Sequence, residues 1–522
     1  MYAQCGDLQS AREVFDSIPD QNLYSWNILF SGYAQNGHLD LAVEIFHHIP
    51  RKNIVSWNAM LQAFVQGDRI REARDLFDRM RERDIVSWNS IVTGYARLGH
   101  LGECCDLFHQ MPEKNTISWN AMVSASAQNG HAKLALGFFR AMDLEGFLPD
   151  RVTAAGVISA CSSLGDLWEG RSIHESLAAV GLEREAIVVT SLVNFYGKCG
   201  SLEEVEALLP WMPSNNMVGW TAAITAYGHH GWLRDARGIF DALPVRVAAT
   251  WNAMLSAYAQ NGQLTQALGL FREMDLDGVR PNVITIIAIL DACLNASALN
   301  DGILVHESIK CTDLASDPAV RTGMLNMYAK CGNLRRAADV FAGMSRPNVV
   351  AWNAILSAHT QAGCNVAAIE LFHVMLLEGN VPDGISFLSL LSACSHAGRL
   401  EDGIGYFVSL QRDFGIVPEV SLFGCVVDLL ARGGWLEICE ELIETMPASA
   451  DVVAWISLVG GCKVFGDFKR AARAAERAFV MDPENSAPYM LLSSMYGSAR
   501  NKEDAEVALR AMEAVKPKSM RS

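Results

Sequence analysis

The sequence predicts an all-α fold, an α-solenoid superhelix of stacked helix-turn-helix repeats, and three observations predict it. The first is a tryptophan period. Trp26, Trp57, Trp88 and Trp119 stand 31 residues apart, and so do Trp220 and Trp251. The intervals Trp119–Trp220 and Trp251–Trp352 are both 101, the sum of two steps of 35 and one of 31, and Trp352–Trp455 is 103. A fixed period of this size marks a repeat array. The second is that each interval reads as two helices. In residues 54–84, IVSWNAMLQAFVQ carries apolar residues at helical spacing, Gly67-Asp68 interrupts it, and REARDLFDRM is amphipathic again. The third is length: 522 residues exceed the roughly 250–300 at which one core stops growing. A lone helix pair cannot bury its apolar faces, whereas stacked pairs can.

With the Trp as position 4, the units run 23–53, 54–84, 85–115, 116–150, 151–185, 186–216, 217–247, 248–282, 283–317, 318–348, 349–383, 384–419 and 420–451. Residues 1–22 fit positions 10–31 of a short unit. Met1-Tyr2-Ala3-Gln4-Cys5-Gly6 parallels Met327-Tyr328-Ala329-Lys330-Cys331-Gly332, so the chain is expected to open inside a first helix, with further repeats and a transit peptide upstream in a longer transcript.

Composition excludes several classes. Half of the residues are hydrophobic, yet no run of about 18 apolar residues is free of polar ones, so no membrane span is expected. No charged-then-apolar or Arg/Ser-rich leader follows Met1. The 13 cysteines form no CxxC pairs, which argues against a disulfide framework or a zinc site. No P-loop, G-x-S-x-G or metal cluster occurs, so no enzyme activity and no cofactor is expected.

The segments IVSWNAM, NMYAKCGNL, SACSHAGRLEDG and FGCVVDLLARGG resemble the plant pentatricopeptide repeat (PPR) family. The mixture of 31-, 35- and 36-residue units is similar to its subclass of P-type, long and short motifs, whereas tetratricopeptide arrays hold a fixed 34. Residues 452–485 resemble the first tetratricopeptide-like E-type motif of organelle RNA-editing factors, and 486–517 the second. The deaminase domain that ends many such factors needs H-x-E followed by P-C-x-x-C, and neither occurs here.

The resemblance implies a single-stranded RNA binder, with no DNA partner. The chain would run parallel to the RNA, and position 5 with the last position of each repeat would read one base. Chemistry supports such a code, because unstacked bases offer their Watson–Crick edges to two or three side chains per repeat. A terminal Asp only accepts, so it favours uracil, whose central edge carries N–H. A terminal Asn donates or accepts and so tolerates either pyrimidine. Thr at position 5 leaves room for a purine.

The pairs so implied are Asn27/Asn53, Asn58/Asp84, Asn89/Asn115, Asn120/Asp150, Thr190/Asn216, Asn252/Asn282, Thr322/Asn348 and Asn353/Asp383. Thr221/Val247 and Gly424/Asp451 depart from the usual pairs and leave their bases open. Ala155/Glu185, Ile287/Asp317 and Leu388/Glu419 carry apolar position-5 residues and are expected to be silent. The expected site is 5′-YUYU-N-A-N-Y-N-A-U-N-N. By the same resemblance, Val55, Val86, Ile117, Ile187, Val218 and Val350 at position 2 flank and sandwich the bases, as do Val152, Ile284 and Ile385, and Tyr24 stacks on one.

Some recurring residues have plainer readings. Trp at position 4 sits among Val, Ala, Met and Leu and reads as core between helices. Cys161, Cys293 and Cys394 share one repeat position, Cys5, Cys199 and Cys331 another, and both read as small packing groups. His174-Glu175 and His306-Glu307 read as polar contacts between repeats. Asn is a mediocre helix former, so its recurrence at position 5 calls for a reason.

Charge points the other way. The net charge of −16 is not the basic footprint of a nucleic-acid binder, so phosphate attraction is expected to be weak and selectivity to rest on base contacts. The alternative is a protein-binding α-solenoid scaffold, which would not need the pattern at position 5 and the last position. The resemblance further implies a site-recognition factor for C-to-U RNA editing in mitochondria, with chloroplasts as the alternative. It would act with a DYW-type deaminase or a multiple-site organellar editing factor supplied in trans.

Overall fold

A computed structural model describes residues 2–19, 21–446, 451–483 and 485–498. Residues 499–517 of the expected second E-type motif lie outside them. The described residues contain α-helices and three short 3-10 segments, with no strand among them. They divide into two compact units, one up to Ala257 and one from Tyr258, with the division inside the helix Ala248–Gln260.

In the first unit helices come in pairs such as Ile54–Gln66 with Ile70–Arg79, Ile85–Arg97 with Leu101–Gln110, and Thr116–Gln128 with Ala132–Leu144. Each first helix packs on its own second helix and on the next first helix. The helix Ile85–Arg97 shows why. Asp84 caps its first turn, it buries Trp88, Ile91, Val92 and Ala96 on one side, and it ends at Leu98-Gly99. Gly99 has φ +77°, a conformation that costs a residue with a Cβ about 1–2 kcal/mol. A glycine with positive φ fills this place in the turns at Gly37, Gly130, Gly165, Gly200 and Gly231, whereas Asp68 holds it at φ +59°.

The second unit repeats the scheme, with Pro318–Lys330 paired to Leu334–Ala342, Val349–Gln361 to Asn365–Leu377, and Gly384–Ala397 to Leu400–Arg412. The turn residue there is Gly332, Gly363, Gly398 or Gly434, and Ser297 takes it at φ +52°.

The tryptophans are the mortar of the stack. Phe77 of one second helix meets Trp88 edge-on at 4.9 Å, Phe108 meets Trp119 at 4.8 Å, and Phe240 meets Trp251 at 4.8 Å. In the second unit Phe341 meets Trp352 at 4.7 Å. Trp88, Trp119, Trp251, Trp352 and Trp455 are buried, as the apolar neighbours of position 4 predict. A cation covers the other face of several of these Phe rings. Arg83 lies 4.6 Å from the centre of Phe77, Lys114 5.3 Å from Phe108 and Arg246 4.9 Å from Phe240. Arg83 also donates to the carbonyls of Phe77 and Asp78 at 2.9 and 3.0 Å, which closes the C-terminal end of the helix Ile70–Arg79.

His174 shares a hydrogen bond with the Tyr196 hydroxyl at 2.9 Å, and His306 with Tyr328 at 2.8 Å, so both histidines do link one helix pair to the next. Burial pushes the thiols of Cys161 and Cys293 up to about 12 and that of Cys394 up to about 11, leaving them as protonated packing groups. No described helix is long and apolar enough to cross a membrane. No group of three or more His, Cys, Asp or Glu among the described residues could hold a metal ion.

Candidate nucleic-acid interface

The amide N–H groups of a helix's first turn need acceptors, and Asn and Asp are among the best residues to supply them. That need governs one half of the predicted site. Asp84 Oδ1 accepts from the Ser87 amide at 2.9 Å, and Asn115 from Ser118 at 3.0 Å. Asp150 accepts from Val152 and Thr153 at 2.8 and 3.0 Å, and Asn216 from Gly219 at 3.1 Å. Asn53, Asn282, Asp317, Asn348, Asp383 and Asp451 cap their helices in the same way. Glu185 and Glu419, from the pairs expected to be silent, stand at helix starts without a side-chain cap. Sequence reasoning missed this second role. Its signal is the Ser or Thr three residues after Asn53, Asp84, Asn115, Asp150, Asn282 and Asp383, the pattern of a capping box.

The other half of the site meets the cap across the junction. Asn58 Nδ2 donates to both oxygens of Asp84, at 2.9 and 3.2 Å. Asn120 donates to Asp150 at 2.8 Å, and Asn353 to Asp383 at 2.9 and 3.1 Å. Asn89 Nδ2 reaches Asn115 Oδ1 at 3.1 Å, and Asn216 Nδ2 reaches Thr190 Oγ1 at 2.8 Å. Asn58, Asn89, Asn120, Asn252, Thr322 and Asn353 are all buried, so these are not solvent-facing polar residues. Thr221 and Thr322 instead return their hydroxyls to carbonyls of their own helices, Met217 and Pro318.

Burial alone would raise the Asp84 carboxyl above its ordinary range. The Ser87 backbone amide, the Asn58 side-chain amide and the Val86 backbone amide outweigh it and hold the pKa low. Asp150 and Asp383 are lowered by the same balance, with Thr153 and Asn120 around one and Ser386 and Asn353 around the other. All three are therefore carboxylates near neutral pH, able only to accept.

Beside these polar junctions lies a row of exposed aliphatic groups. Val55, Val86, Ile117, Val152, Ile187 and Val218 are exposed in the first unit, with Tyr24 74% exposed, and Ile284, Val350 and Ile385 are exposed in the second. The fold leaves these large apolar side chains unburied at one repeated position. A hollow of about 410 Å³ shows what they frame. Val86 and Ile117 line it together with Asn89, Ser90, Thr93 and Arg97. The Oδ1 of Asn89 is buried with no hydrogen-bond partner, as is that of Asn27. The volume would admit a flat ring beside the two aliphatic side chains.

Comparison with known proteins bears on the family and the fold. A family model described as "PPR repeat family" matches residues 246–295 and 347–396. A second, "PPR repeat", matches 24–54, 55–85, 86–116, 117–147, 218–245, 321–349 and 385–413. A mitochondrial pentatricopeptide repeat-containing protein of Arabidopsis thaliana is 34% identical over 512 residues, 98% of this chain and 62% of that protein. The chain spans 62%, 54% and 52% of the lengths of three curated relatives it matches. The crystal structure of the pentatricopeptide repeat protein PPR10 from maize is similar with a TM-score of 0.67 at 17% identity, covering 99% of this chain and 82% of that one. PPR10 in complex with an 18-nucleotide psaJ RNA element is similar with a TM-score of 0.62, again at 17% identity, over 98% and 88% of the two chains.

Proposed function

Because the chain belongs to the pentatricopeptide repeat family, we propose that it binds single-stranded RNA sequence-specifically, one base per repeat, through thirteen repeats over residues 23–451. The observation that carries the reading is the hollow lined by Val86, Ile117 and Asn89, beside which the Asn89 Oδ1 is buried without a partner. A protein-binding scaffold has no need of buried amides beside exposed aliphatic pairs. The bound RNA complex of the similar PPR10 structure supports the same class of ligand.

The reading order follows the chain, 5′ to 3′. Asn27/Asn53 takes a pyrimidine, Asn58/Asp84 uracil, Asn89/Asn115 a pyrimidine and Asn120/Asp150 uracil. Thr190/Asn216 and Thr322/Asn348 take adenine, Asn252/Asn282 a pyrimidine and Asn353/Asp383 uracil, which gives 5′-YUYU-N-A-N-Y-N-A-U-N-N. The mixed unit lengths and the E-type motifs over 452–485 and 486–517 support assignment to the subclass of organelle editing factors. In that role the protein marks a cytidine a few nucleotides downstream in a mitochondrial, or alternatively chloroplast, transcript, and a deaminase acting in trans converts it.

Binding of the purified chain to RNAs of this sequence and to scrambled RNAs of equal composition tests the reading. Equal affinity for both sinks it. The editing role is tested separately by crosslinking and sequencing RNA from plant organelles, where bound sites must lie just upstream of edited cytidines.

A further inference from the structure

A hydroxyl carries one hydrogen, and at each repeat junction two acceptors lie within its reach. In the three junctions that pair Asn with Asp, Asn58/Asp84, Asn120/Asp150 and Asn353/Asp383, the hydroxyl of the third residue of the following helix stands closer to the preceding Asn than to the cap. Ser87 Oγ is 2.6 Å from Asn58 Oδ1 and 2.8 Å from Asp84 Oδ1. Ser386 is 2.5 Å from Asn353 Oδ1 and 3.1 Å from Asp383 Oδ1. Thr153 bonds Asn120 Oδ1 and lies 3.3 Å from Asp150 Oδ1. The Asn amide is thereby held in one orientation, Oδ1 on the hydroxyl and Nδ2 on the carboxylate.

Two Asn-ended junctions, Asn27/Asn53 and Asn89/Asn115, are wired differently. Ser56 Oγ lies 2.9 Å from Asn53 Oδ1, and Ser118 Oγ 2.9 Å from Asn115 Oδ1. The hydrogen goes to the capping residue, and the Oδ1 atoms of Asn27 and Asn89 are left with no partner. A carboxylate has a second oxygen with which to draw the Asn Nδ2 inward and turn Oδ1 toward the hydroxyl. A capping amide has no second oxygen.

Resting on the base reading proposed above, we infer that this third-residue hydroxyl is a positioning residue that sets how strictly a repeat selects uracil. Where Ser87, Thr153 or Ser386 occupies the Asn Oδ1, the acceptors left to the base belong to the carboxylate, and uracil N3–H meets them. Where the Asn Oδ1 is buried but unpartnered, no hydroxyl fixes the amide, so on seating the base it can turn to accept from the exocyclic amino group of cytosine, and either pyrimidine is tolerated. Strictness at an Asn/Asp junction is thus the property of three side chains, of which Ser87, Thr153 and Ser386 never touch the base.

The test compares Ser87→Ala, Ser87→Thr and Ser118→Ala with the unaltered chain, binding RNAs that differ only at the second or third base. Ser87→Ala opens the Asn58 Oδ1, so the uracil-over-cytosine ratio at the second base falls roughly three- to fivefold, the worth of one polar contact. Ser87→Thr keeps the ratio. Ser118→Ala leaves the third-base ratio unchanged, although it removes the same kind of capping hydroxyl. If Ser87→Ala weakens binding to both RNAs alike, the hydroxyl only caps a helix and the inference is overturned. Should that variant not fold, Ser386→Ala read at the eleventh base carries the same expectation. An unaltered chain with no uracil preference at the second base overturns the base reading itself, and this inference with it.

Discussion

Asn58 and Asp84, 26 residues apart, meet across a repeat junction with Asn58 Nδ2 at 2.9 Å from the carboxylate, while Asp84 also holds the Ser87 amide at the start of the next helix. On the proposed reading, the side chain offered to a base is therefore fixed from two directions before any RNA arrives. Such preorganisation lowers the ordering cost of binding.

Replacing Asp84 by Asn exchanges an acceptor-only group for one that also donates. The second base is expected to relax from uracil toward either pyrimidine by roughly fivefold, about 1 kcal/mol. Because Asn caps helices as well as Asp does, the melting temperature should hardly move. Binding to RNAs varied only at that base decides it, and an unchanged preference rules out the register.

Substituting Ile117 by Ala trims one wall of the hollow beside Asn89. Affinity is expected to fall by about 1 kcal/mol whatever the third base is, since an aliphatic wall contributes contact area and not hydrogen bonds. Ile117 is 59% exposed, so stability should be unaffected. A change of base preference without loss of affinity contradicts the flanking role.

How much of this was legible from the sequence depends on what carried the signal. The helices bearing Trp26, Trp57, Trp88 and Trp119 begin three residues earlier, at Leu23, Ile54, Ile85 and Thr116, so the large aromatic marked the stack well. Fold class was legible because the burial of Trp against Phe repeats with the period. The double duty of Asp84 was not. An Asn or Asp before a helix and one that reads a base look alike in a string of letters, and only the 2.9 Å contact from Asn58 joins the two roles. The hydroxyl of Ser87 was missed for the same reason, since its partner lies 29 residues back.

The acidity of the chain sets the salt dependence. With a net charge of −16, few phosphates can be neutralised. The slope of log affinity against log salt should be about −2 or shallower, set by about 0.7 per neutralised phosphate on a single strand. A slope steeper than about −4 in a titration from low to moderate salt contradicts selectivity that rests on base contacts.

Stability should fall in acid through three of the cap carboxylates. Asp84, Asp150 and Asp383 have pKa values lowered from 3.8 in the folded chain. A lowered folded pKa contributes stability that is complete above the unfolded value and lost as pH falls through the folded one. The urea midpoint should therefore drop as pH falls from about 5 toward 2. Asp84→Asn, Asp150→Asn and Asp383→Asn combined should flatten that profile, and an equally steep one in the triple variant removes these groups as its cause.

Ser297→Gly is expected to stabilise the chain by roughly 0.5–1 kcal/mol, because Ser297 holds φ +52° where neighbouring turns carry glycine. Asp68→Gly should gain less, since it also removes the ion pair with Arg97 at 2.6 Å. Urea midpoints compare the two, and a destabilised Ser297→Gly would show that the turn carries no strain.

Where the residue at the end of a repeat also caps the next helix, as Asp84 and Asn115 do, its chemical alphabet is short. Asn, Asp, Ser and Thr serve there, whereas Ala costs the helix about 1 kcal/mol. Asn and Asp codons differ by a single transition, so on the proposed reading one nucleotide in the gene respells one letter of the RNA address with the scaffold left standing. Drift in the target transcript can then be followed letter by letter. Requiring a good cap narrows the vocabulary of each repeat, and the same requirement lets the lineage edit its address without passing through an unfolded protein.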